Sequence, residues 1–194
     1  MAADTASVRS VIADAADISD GTAGVVTWAG SWNGQRVQAR IIVDTLATRK
    51  LPTRWLAVSI TEPVAVPGIF DMMMRPNSAT TFSNFDHLEH TLPKTAAFPD
   101  EAVLRTNRKG VTFPQDAIAA HAGIFAEGRA KELLITPKGV RIVWLLAQAD
   151  RARYGVFRQA SFGGESLDPA LLEELLAAAS SLRHAINQRE RQAA

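Results

Sequence analysis

Asp86-His87-Leu88-Glu89-His90 is the densest group of metal-ligating side chains in the sequence. On a helix, His87 and His90 would stand one turn apart on one face. With a third ligand such as His121 they would hold a divalent cation. The spacing is not the His-Glu-x-x-His pattern of zinc proteases, because Glu89 lies between two histidines only three positions apart. Polar residues of an exposed loop account for the same five positions. His87 and His90 are therefore the candidate ligands, while no resident metal is expected.

Nucleophilic chemistry has less to stand on. The sequence lacks a Gly-x-Ser-x-Gly elbow, and Gly30-Ser31-Trp32-Asn33-Gly34 reads as a hairpin turn rather than a strand-to-helix corner. Gly163-Gly164-Glu165-Ser166 precedes a helix, but it matches no phosphate-binding pattern, and Glu165 and Asp168 would repel a phosphate. Glu173 and Glu174 favour the positive end of a helix dipole, and His121 and His184 read as packing or dipole-compensating residues. No cofactor is expected.

The four tryptophans Trp28, Trp32, Trp55 and Trp144 all fall on expected strands. Trp28 and Trp32 share one face of the first. As core residues they would fill space beneath helices. As a site they would line a pocket or partner surface, with Arg75 at the end of the fourth strand as the polar group. Trp28, Trp32 and Arg75 are the candidate ligand- or partner-binding residues.

These side chains must be positioned by ordinary globular elements. Hydrophobic residues make up 47% of the 194, enough to close a core without staples. The 21 basic and 20 acidic residues leave a net charge of +1, which argues against nucleic acid and anionic membrane as partners. The absence of cysteine removes disulfides and thiolate chemistry. The first residues lack the basic start and apolar stretch of a signal peptide, and no apolar run reaches the roughly 20 residues of a membrane span. A cytoplasmic location is expected.

Val8, Val11, Ile12 and Ala15 fall at helical spacing over Thr5 to Asp17. Asn33-Gly34 between two alternating runs predicts a type I′ hairpin over 26–43. Third and fourth strands are expected at 55–60 and 69–74, then an irregular segment over 77–99 with a helical turn near Asp86, then a short strand at 102–106. Thr112-Phe113-Pro114-Gln115 has capping-box spacing for a helix stopping near Gly128. A meander of 133–135, 140–147 and 154–162 follows. Asp168-Pro169 opens the longest helix, whose stripe of Leu172, Leu175, Leu176, Ala179, Leu182 and Ile186 faces either the sheet or, as an alternative, a second copy in a homodimer. Its tail from 188 to 194 is expected to fray.

Tight turns force antiparallel pairing. The chain is thus read as one two-layer α+β domain over 1–194. An antiparallel meander sheet of about seven to eight strands is covered by N-terminal, central and long C-terminal helices. In order alone, without a shared motif, this plan is similar to that of small secretion-chaperone domains. The function expected is a non-enzymatic, soluble interaction or ligand-binding module for a protein partner or small apolar ligand. The alternative is a hydrolase or metal-dependent enzyme using the 77–99 loop.

Overall fold

The computed structural model describes residues 2–45, 51–76, 80–150, 162 and 166–193. Along the chain run α1 (Ala2–Val11), β1 (Ala13–Asp17), β2 (Val25–Trp32), β3 (Gln35–Asp44), β4 (Thr53–Ile60) and β5 (Phe70–Met74). They are followed by β6 (His90–Thr91), β7 (Ala102–Thr106), α2 (Gln115–Ala120), β8 (Ala130–Thr136), β9 (Gly139–Gln148) and α3 (Pro169–Ala193). The nine strands among the described residues form one antiparallel sheet in the order β1-β2-β3-β4-β9-β8-β5-β7-β6. This is the expected α+β arrangement. The first four strands are a simple meander, whereas β5 lies between β8 and β7.

The β2–β3 turn is of the expected kind, with φ of 48° at Asn33 and 75° at Gly34. Two positive φ angles in succession give the turn a twist that matches the strands it joins. Alternation along the strands then sorts side chains onto two faces. Trp28, Val37, Ala39, Leu56, Val58, Met72, Leu133 and Ile142 pack with Val8, Ile118 and the α3 stripe into the main core. Leu172, Leu175, Leu176, Ala179, Leu182 and Ile186 are all at most 2% exposed. The stripe is therefore covered by the chain's own sheet and supplies no seam for a homodimer. Asp168 Oδ1 accepts the Ala170 N–H at 2.9 Å, which caps the start of α3 as expected.

Several boundaries differ from the pattern-based reading. The N-terminal helix ends at Val11, and 13–17 form an edge strand on β2. Gly30 allows this, because a Cβ there would run into the Ala13 carbonyl oxygen and the Ile12 side chain. The capping box is not formed: α2 has no side-chain cap bond, and the Gln115 amide donates instead to Pro93 O at 2.9 Å. The helix passes into a 3-10 turn, Ala122–Glu127, which stops at Gly128 with φ 75°. The tail expected to fray is helical through Ala193, with Arg189 hydrogen-bonded to Asp116. Residues 154–161 of the expected last strand, 154–162, lie outside the described residues. No described helix is long and apolar enough to cross a membrane.

A buried ion pair ties the two chain ends to the sheet. Arg54 of β4 meets Asp4 of α1 at 2.6 Å, with both side chains at most 9% exposed. Asp4 Oδ1 also accepts the Leu167 N–H at 2.9 Å. Burial alone would raise the Asp4 carboxyl, but its hydrogen bonds and the Arg54 guanidinium hold it below the usual range.

Removing one member of such a pair strands the other in a low-dielectric interior. Asp4→Ala is therefore expected to cost on the order of 3 kcal/mol. Leu176→Ala, which leaves a cavity under α3, is expected to cost roughly 2–5 kcal/mol at any protein concentration. Urea unfolding midpoints within error of wild type for either variant would contradict these contacts.

Candidate functional site

The face of the sheet turned away from the described helices holds the unusual chemistry. On β5, Phe70, Met72 and Met74 pack into the main core, so Asp71 and Met73 point to the other side. By the same alternation β8 turns Glu132 and Leu134 that way, and β9 turns Arg141, Val143 and Leu145. Strand register aligns Arg105, Asp71, Leu134, Arg141 and Ser59 in one row. The neighbouring row is Val103, Met73, Glu132, Val143 and Ala57.

Two carboxyl groups are thereby buried close together, Asp71 at 2% and Glu132 at 0% exposure. Arg141 meets Glu132 Oε2 at 2.9 Å, and the Ser83 hydroxyl donates to Glu132 Oε1. Among the described residues Asp71 Oδ1 and Arg141 Nε are buried without a hydrogen-bond partner. Burial pushes the Asp71 carboxyl up to about 8; the Glu132 charge pushes the same way, and Arg141 and Arg105 pull it back. At neutral pH the site thus holds a protonated acid beside an ion-paired one. Such a pair can store a proton or donate a hydrogen bond from a carboxylic acid.

Residues 82–86 strap this cluster. Phe82 and Phe85 pack with Ile42, Ala57, Met73 and Val143 in a second apolar cluster, with Trp55 against its edge. The Phe82 and Trp55 rings are 5.1 Å apart. Arg105 donates to Phe85 O at 3.1 Å, lies 4.6 Å from the centre of the Phe85 ring and 3.8 Å from Asp86. Beyond Arg141 the same face opens into a shallow cavity of about 180 Å³, whose lining includes Ser59, Thr61, Leu134, Thr136, Lys138 and Arg141.

The residues singled out in the sequence are not brought together. Trp28 is 1% exposed inside the main core, and Trp32 packs half-buried on the same side. Arg75, with φ 46°, binds Glu101 and the Gly128 carbonyl, each at 2.8 Å, and so ties the end of β5 to its surroundings. His87 ends a 3-10 turn (Phe85–His87) while His90 begins β6, so the two do not share a helix face. His121 is engaged elsewhere, by Ala117 O at 2.9 Å and Ser181 Oγ at 3.1 Å. Among the described residues no group of three acidic or histidine side chains is placed to hold a metal. Sequence reasoning passed over Asp71, Glu132, Arg141 and Ser83. The available signal was a lone acid inside each of two apolar strands, Asp71 within 69–74 and Glu132 before Leu133.

No family model and no curated protein matches the sequence. Among solved structures the chain is similar to the mycobacterial trehalose monomycolate transport factor A, TtfA, with a TM-score of 0.44 and 9% identity over 87% of this chain and 74% of that one. A likeness of that size carries no argument about what this chain does.

The buried acid makes stability depend on pH in a set direction. Unfolding returns the Asp71 carboxyl from about 8 towards its ordinary 3.8. Between those values the folded state binds more protons than the unfolded one, so stability falls as pH rises through the window and levels off above it. The slope from this group approaches about 1.4 kcal/mol per pH unit. Asp71→Asn is expected to flatten it. Denaturant midpoints from pH 5 to 8.5 that decline equally in both proteins would refute the assignment.

Proposed function

We propose that the protein is a non-enzymatic, cytoplasmic binding module that presents the face of its sheet opposite the described helices to a protein partner or a small ligand. One observation carries this reading. Among the described residues the helices contribute to the main core on one side, while the opposite side carries a second, smaller cluster and its strap. Half-buried Trp55, Leu134, Leu145, Arg40 and Arg141 remain on that side. A face that mixes apolar side chains with arginine has the composition of protein-binding surfaces. The cavity beside Arg141 supplies a concave point within it.

A second reading, a hydrolase built on 77–99, has the Ser83–Glu132 hydrogen bond in its favour. It stands second because Glu132 and Asp71 are both shut from water.

Affinity purification followed by mass spectrometry of the bound material, with wild type and Leu134→Glu/Leu145→Glu, tests the leading reading. Both positions are half-buried, so the variant should fold. We expect a partner or small molecule with the wild type and at least about a tenfold loss with the variant. A wild-type chain that recovers nothing and gains no thermal stability from any recovered fraction would overturn it.

A further inference from the structure

The cavity has a chemistry of its own. It lies between β4, β9 and the turn joining β8 to β9, and three nitrogen or hydroxyl donors on its lining are uncommitted. The side chains of Ser59 on β4 and Lys138 in the turn make no hydrogen bond or ion pair among the described residues. Arg141 on β9 uses one terminal nitrogen on Glu132, while its Nε–H is buried and unpartnered. A buried N–H without an acceptor is costly, and its usual explanation is a water, an ion or a ligand.

Charge points the same way. The carboxylate paired with Arg141 and the one that follows Thr61 are already matched, Glu132 by Arg141 and Glu62 by Arg36. Lys138 therefore adds positive charge that nothing described there offsets. Because one edge of the Arg141 fork is occupied by Glu132, a planar carboxylate cannot take the guanidinium through both its terminal nitrogens. Single donors approaching from two strands and a turn suit a tetrahedral oxyanion better. The size is decisive about extent. At about 180 Å³ the cavity is smaller than the roughly 300–1,000 Å³ of sites that enclose a whole drug-sized ligand. It fits a group, with the rest of any larger molecule lying outward along the sheet.

We propose that this cavity is a subsite for a phosphate group, held by Lys138, Arg141 and Ser59. The proposal rests on the binding-module reading and names what one point of that face takes. The group arrives either as free inorganic phosphate or as the phosphate of a monoester.

Calorimetric titration of the full chain with inorganic phosphate, glycerol 3-phosphate and acetate tests it. We compare wild type with Lys138→Gln and Ser59→Val. Lys138 is exposed in a turn, so its replacement leaves the fold intact; Arg141 is left in place because its loss would strand Glu132. Expected is saturable binding of at least one phosphate compound, weakened at least about tenfold by Lys138→Gln, with acetate binding more weakly. Tighter binding of the ester identifies a monoester as the source, and tighter binding of the inorganic ion identifies free phosphate. No saturable phosphate binding, or equal binding in wild type and Lys138→Gln, overturns the subsite. If that happens while Leu134→Glu/Leu145→Glu still abolishes capture of a partner, the subsite alone fails and the binding module stands.

Discussion

The Asp4–Arg54 ion pair is the constraint on which the placement of the helices depends. Arg54 lies on β4, an interior strand of the sheet, and Asp4 lies on the first helix. Through the Leu167 N–H the same carboxylate also fixes the chain just before α3. One aspartate thus holds both ends of the chain to one strand. The two ion-paired groups are costly to desolvate, so the pair acts more as a registration device than as a source of net stability. Hydrophobic burial is non-directional, whereas a charged contact at 2.6 Å constrains how α1 sits on β4.

Among the described residues the helical cover lies on one side, and a short aromatic strap packs on the other, where the acid pair and its arginines also lie. Polar groups of that kind are expensive in a core and are tolerated where the surrounding contacts compensate them. Arg141 belongs to two environments at once, since it neutralises Glu132 on one side and borders the cavity on the other. A ligand in the cavity and a proton on the acid pair would act through the same guanidinium.

Much of the architecture was legible because it rests on local chemistry. Asn33-Gly34 and the Asp168-Pro169 helix start each encode their geometry within a few residues. What escaped depends on partners distant in sequence. The strand at 13–17 exists because Gly30, across the β1–β2 pairing, leaves room for it. Gln115 abandons the capping box because Pro93 offers an acceptor. The acid cluster was invisible for the same reason. Asp71, Glu132 and Arg141 are meaningless as single letters and become a group only once β5, β8 and β9 lie side by side.

The position of β5 between β7 and β8 carries a consequence for how the chain acquires its structure during synthesis. Strands β1 to β4 can zip together in the order they emerge, each beside the one before. The apolar run Phe70-Asp71-Met72-Met73-Met74 has no such neighbour. Both its partners, 102–106 and 130–136, leave the ribosome later, and synthesis at roughly 5–20 residues per second leaves that segment unpaired for seconds. Non-local pairing of this kind slows folding. A nascent chain with three adjacent methionines and an unsatisfied strand edge is a natural substrate for holding chaperones, and the interval in which it needs one is written into the strand order.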